Sequence, residues 1–126
     1  MLSTGLYLSG LWPPFAEAVR YLSLYAAYYN YQGVVSSGFR SSSEQATLYA
    51  QGRSQYEISN QVTKPLGGFV VTNAPPGHSA HNYGLAIDVT GRDQSAIVSL
   101  ARALGFGTVA NDPAHIEWPN WRQLIH

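Results

Sequence analysis

Cysteine is absent from the chain, which removes disulfide scaffolds, thiolate metal sites, redox pairs and cysteine nucleophiles together. Any metal must therefore be held by histidine and carboxylate. Charge is nearly as scarce: charged residues make up 11% of the 126, with seven basic side chains against seven acidic ones. Without a basic field there is nothing to draw in nucleic acid or an anionic membrane surface, and neither is an expected partner. Long hydrophobic runs are missing too. None approaches the ~20 residues needed to span a bilayer, so membrane insertion is not expected. The opening stretch MLSTGLYLSGLWPPF lacks a basic segment and is broken by Gly5, Gly10 and Pro13-Pro14, so it does not read as a signal peptide.

What is present is a chain with 45% hydrophobic residues, at a length that predicts one domain over 1–126 with one core. From Phe15 to Gln32, apolar or aromatic residues recur at Phe15, Ala18, Val19, Leu22, Tyr25, Ala26 and Tyr29, which is helical spacing. Pro13-Pro14 before them and Gly33 after them suit a helix start and stop. The tyrosines of this stretch are expected to cover a helix face with their hydroxyls in water. GVVSSGF, ending at Arg40, predicts a short strand in which Gly38 permits a bulge or close approach. Ser41 and Glu44 stand in capping-box register ahead of EQATLYAQ, and Gly52 sits where a helix ends. Residues 53–65 read as a loop. Phe69–Thr72 and Leu85–Thr90 predict strands around a Gly- and Pro-rich loop. Asp93 is placed to cap a helix over Ser95–Leu104, ended by Gly105, and HIEW predicts a closing strand.

Three of the four histidines fall near acidic residues: His78 and His81 ahead of Asp88, and His115 between Asp112 and Glu117. In LAIDVT the two-residue strand period sends Leu85, Ile87 and Val89 to one face and Ala86, Asp88 and Thr90 to the other. The same period puts His115 and Glu117 on one face of HIEW, opposite Ile116 and Trp118. A lone strand histidine is ordinarily structural, and an Asp among apolar residues is often a cap. Taken together, two strands offering polar groups to one cleft suggest a metal. A catalytic zinc site takes three nitrogen or oxygen ligands and leaves a position for water, a requirement that His81, Asp88 and His115 fill. Imidazoles favour zinc, while manganese, cobalt or nickel also suit such donors.

The blocks SGFRSSSEQATLY, VTNAPPGHSAHNYGLAID and DPAHIEW resemble the cell-wall zinc peptidases, the group of D-alanyl-D-alanine carboxypeptidases and L-alanyl-D-glutamate endopeptidases. The group's pattern Ser-x-His-x-x-Gly-x-Ala-x-Asp is matched by Ser79, His81, Gly84, Ala86 and Asp88, and its acid-x-x-His by Asp112 and His115. The resemblance runs from about Val34 to Trp118. It implies an α+β fold, helices packed on a mostly antiparallel sheet as in the hedgehog amino-terminal domain. It implies one zinc ion per chain on His81, Asp88 and His115, with Asp112 as general base. Glu117 is the rival base, or a partner that orients an imidazole. Arg40 matches an arginine that stabilises the oxyanion in these enzymes, although a surface pair with Glu44 would also suit it. Ser79 and Gln45 are candidates for substrate contacts, and His78 is expected to be an exposed loop residue.

One departure concerns the cleft. Endopeptidases of the group usually carry Trp-Gly-Gly before the acid-x-x-His, and here GFGTVANDPAH stands in that place. The implied function is hydrolysis of peptidoglycan stem peptides by a monomer, with L-alanyl-D-glutamate endopeptidase action expected first. D-alanyl-D-alanine carboxypeptidase action is the alternative, as is a zinc-binding domain of the same fold without catalysis. A muramidase would leave the histidines unexplained. Without a signal peptide or a wall-binding module, the expectation is a phage-type lysin that reaches the cell wall through a pore or in a virion.

Overall fold

The computed structural model describes residues 1–53, 72 and 74–125. Eight elements follow in chain order: β1 (Leu2–Ser3), α1 (Pro13–Tyr28), β2 (Gly33–Ser37), α2 (Ser42–Ala50), β3 (Ala86–Thr90), α3 (Gln94–Ala103), β4 (Gly107–Val109) and β5 (Asp112–Glu117). The strands form one sheet in the order β1-β2-β3-β5-β4, with β1 parallel to β2 and every other pair antiparallel. This is the α+β architecture expected from the sequence. The predicted strand at 69–72 and most of the loop at 53–65 lie outside the described residues.

The two faces of the sheet divide as the strand period dictates. Val35, Ile87, Val89 and Ile116 are fully buried on one face, where Phe15, Val19 and Leu22 of α1 and Ile97 and Ala101 of α3 pack onto them in one continuous core. Asp88, His115 and Glu117 stand on the other face, Asp88 paired with His115 and Ala86 with Glu117 across β3 and β5. The helix α2 belongs to that polar side, since its Gln45 reaches Arg40 beside Asp88.

Some features differ from the sequence reading. The first helix stops at Tyr28, not near Gln32, because Asn30 takes a left-handed conformation (φ 60°). There Tyr31 N–H closes on Ala26 C=O (2.8 Å) and Asn30 N–H on Ala27 C=O (3.1 Å), a Schellman ending with asparagine in the usual glycine position. Gly33 lies in β2 instead. Asp93 does not cap α3 with its side chain: its carboxylate accepts from Gln32 N–H (2.7 Å) and Arg92 Nε (2.9 Å), fastening the chain ahead of β2 to the start of α3. Finally, GFGTVANDPAH is no plain connection, since it contains β4 and opens β5 three residues earlier than HIEW. The capping box at Ser41 and Glu44 forms as expected.

Candidate active site

The register of β2 against β3 slips by one residue between Val35 and Ser37. That bulge brings Ser37 opposite Asp88, on the face that already carries His115. Just beyond, the Gly38 carbonyl accepts a hydrogen bond from His81 Nδ1 at 2.7 Å. A carbonyl can only accept, so Nδ1 carries the proton and Nε2 presents its lone pair, 3.4 Å from Asp88 Oδ1. His81 itself sits in a short 3₁₀ helix, Ala80–Tyr83, whose first turn is capped by the Ser79 hydroxyl accepting from His81 N–H.

His115 is held in the opposite sense. Its Nε2 lies 2.6 Å from Glu117 Oε1, which leaves Nδ1 facing Asp88 Oδ1 at 3.7 Å and Asp112 Oδ2 at 3.8 Å. Glu117 reaches that nitrogen because its cross-strand neighbours are small, Ala86 on one side and Gly107 on the other. A Cβ at Gly107 would come within 3.0 Å of Glu117 Cγ.

One ligand atom each from His81, Asp88 and His115 falls within 4.8 Å of the others. A tetrahedral zinc site with ~2.0–2.1 Å bonds separates its ligand atoms by ~3.3 Å, close to the spacings of Asp88 from the two imidazoles. The donor set fits a divalent cation: two imidazole nitrogens whose rings are oriented by second hydrogen bonds, and one carboxylate oxygen. Electrostatics point the same way. Burial opposes ionisation of Asp88, but the two imidazoles of His115 and His81 beside it outweigh burial and hold the carboxyl well below the usual range. Burial likewise opposes charge on His115, yet Asp88 and Glu117 raise its pKa to about 9. The cluster is built to hold positive charge.

Arg40 stands beside it, with Nη2 3.5 Å from the second oxygen of Asp88 and 3.2 Å from the Ser37 hydroxyl. Its Nη1 donates to Gln45 Oε1 at 2.9 Å. No pair with Glu44 forms, because Glu44 closes the capping box with Ser41. Gln45 is 0% exposed and its amide donates to Thr72 Oγ1 and the Ala74 carbonyl, so it braces Arg40 from behind with no face open to a substrate. Ser79 is buried and its hydroxyl serves as the cap. The polar atoms of both side chains are thus engaged within the protein. His78 is exposed and outside the cluster. Sequence reasoning missed Ser37 and Asn82; the Ser79-x-x-Asn82 spacing, a capping box with asparagine in its last position, was the available signal for the second.

A family profile described as VanY, D-alanyl-D-alanine carboxypeptidase, matches residues 9–118. The chain belongs to that family. Its match spans α1 through β5 and so includes every residue of the cluster. Among individual proteins, the peptidoglycan L-alanyl-D-glutamate endopeptidase CwlK of Bacillus subtilis is 47% identical over 55 residues. That alignment covers 44% of this chain and 26% of CwlK, so the chain spans about a quarter of that relative's length. The family is one of peptidoglycan peptidases, and CwlK shares with it the cell-wall peptide as substrate.

Proposed function

We propose that this chain is a metal-dependent peptidase that hydrolyses the stem peptides of peptidoglycan, zinc being the metal and His81, Asp88 and His115 its ligands. The observation that carries this reading is the convergence of two oriented imidazole nitrogens on one carboxylate oxygen, in a chain of the VanY family. A divalent cation held there supplies Lewis acidity to a peptide carbonyl and lowers the pKa of a water.

The remaining work falls to the chain's own groups. Asp112 is the general base: its carboxylate is 49% exposed and lies on the Nδ1 side of His115, where it can take a proton from the attacking water and return it to the leaving amine. Glu117 is 16% exposed and is engaged on the far ring nitrogen, which supports the orienting role. Arg40, its planar guanidinium braced by Gln45 and Ser37, stabilises the oxyanion as the carbonyl becomes tetrahedral. That division distinguishes the chain from a zinc-binding domain without catalysis, which has no use for a free carboxylate beside its metal.

The bond cut is proposed to be L-alanyl-D-glutamate, on the strength of the identity to CwlK. The alternative, D-alanyl-D-alanine carboxypeptidase action, is favoured by the family profile. Mass spectrometry of muropeptides after incubation with the zinc-loaded protein separates them. New amino-terminal glutamate marks the endopeptidase, loss of terminal D-alanine marks the carboxypeptidase, and unaltered stem peptides contradict both.

A further inference from the structure

Asn82 follows a proposed metal ligand, and its side chain uses its full hydrogen-bonding capacity. Its Nδ2 donates to the carbonyls of Arg40 (2.8 Å) and Ser41 (3.3 Å), while its Oδ1 accepts from the backbone N–H groups of Gly77 (3.0 Å) and Ser79 (3.2 Å). Only one orientation of the amide fits, since carbonyls face one end and N–H groups the other. A carboxylate of the same shape satisfies only half of these partners.

Two further bonds run between the same segments. Arg40 N–H donates to the His81 carbonyl (2.9 Å), and His81 Nδ1 donates to the Gly38 carbonyl (2.7 Å). Residues 38–41 thus carry both Arg40 and the carbonyl that sets the His81 tautomer, and Asn82 holds them to residues 77–82. We infer that Asn82 is a positioning residue, a clasp that fixes Arg40 relative to His81 so that metal ligand and oxyanion-stabilising arginine are set as one unit. The inference rests on the peptidase reading for the roles of His81 and Arg40, and on hydrogen-bond geometry for the clasp itself.

A side chain that merely stabilised the fold would lower thermal stability without singling out the site. The comparison variant is Ile97→Val, which trims the core on the helical face of the sheet. Zinc affinity, read by chelator competition well below both melting temperatures, is expected to fall about 10- to 100-fold in Asn82→Ala, as for other groups that orient a metal ligand. In Ile97→Val it is expected to stay within about twofold of the wild type. At saturating zinc, Asn82→Ala is expected to lose turnover, and to add little to the loss caused by Arg40→Ala, because both changes act through the same arginine. Zinc affinity within twofold of the wild type, with turnover losses that simply add, would overturn the inference. Amide hydrogen exchange provides a readout that needs neither metal nor substrate. Arg40 N–H is expected to exchange faster in Asn82→Ala beyond any change in Ile97→Val, and unchanged protection would overturn the clasp. Asn82→Asp serves where the alanine variant does not fold: Gly77 and Ser79 keep their protection and Arg40 loses it. If the wild type binds no zinc and cuts no peptide, the peptidase reading fails while the exchange measurement still decides the clasp.

Discussion

At the scale of single residues, the two carboxylates flanking His115 are separated by the ring itself: Glu117 on Nε2, Asp112 on the side of Nδ1. Their replacements should therefore fail differently. Asp112→Asn preserves shape and removes proton acceptance, so it should keep its zinc and its fold and lose about a hundred- to ten-thousand-fold in turnover. Glu117→Gln should weaken zinc binding about 10- to 100-fold with a smaller effect on turnover at saturating metal. Zinc content and muropeptide turnover of both variants check this, and an inert, fully loaded Glu117→Gln beside an active Asp112→Asn would exchange the two roles.

His115 also makes the metal-free protein sensitive to pH. Its pKa lies at about 9 in the fold against 6.5 ordinarily, so protonation stabilises the folded state; this stabilisation is fully present below about 6.5 and is lost as pH rises through about 9. Asp88 acts at the other end: its stabilisation is present above the ordinary value of 3.8 and is lost as pH falls through its lower folded pKa. The chelated protein should accordingly melt at a lower temperature at pH 9 than at pH 6.5. Zinc bound as proposed would replace the proton on Nδ1, so the stabilisation it confers should grow over the same interval. Melting temperatures across that range, with and without chelator, test both statements.

At the scale of elements, the loop ahead of β3 depends on Gly84. It has φ 68°, and a Cβ there would meet Trp12 N at 2.8 Å and Gly10 O at 2.9 Å, both backbone atoms that cannot swing aside. Gly84→Ala should cost at least the ~1–3 kcal/mol of a strained backbone, seen as a lower melting temperature, and should weaken zinc binding because His81 lies in the same turn. Gly107→Ala should be milder in stability and act through Glu117, whose Cγ the new methyl would crowd. Three strands and a helix start were readable beforehand because each has a local cause: the β-branched pair in GVVSSGF, the two-residue alternation in LAIDVT and HIEW, and the Ser41–Glu44 capping box. Other features have no local cause. The strands β1 and β4 are two and three residues long, too short to show a period, and the bulge that aims Ser37 at Asp88 exists only between strands. The end of α1 was misplaced because Asn30, not the more obvious Gly33, takes the left-handed position. Within the site, alternation and motif spacing led to His81, Asp88 and His115, which the fold does bring together. The hydrogen-bond partners of Gln45 and Ser79 were not readable in this way, since what a polar side chain bonds is decided by the segments that fold over it.

At the scale of the whole molecule, a sheet closed on one face by α1 and α3 leaves its other face to gather groups from β2, β3, β5 and the turn at 80–83. Among the described residues no helix is long and apolar enough to cross a membrane. The polar face collects its charge around one point, the carboxylate of Asp88, and the central claim is that a metal at that point makes the chain a peptidoglycan peptidase. The most direct test is the rate at which the purified protein releases peptide termini from isolated peptidoglycan, measured as prepared, after chelation and after zinc is restored. Activity that is present, abolished and recovered in that order is the predicted result; cleavage at an undiminished rate by the metal-free protein would contradict it.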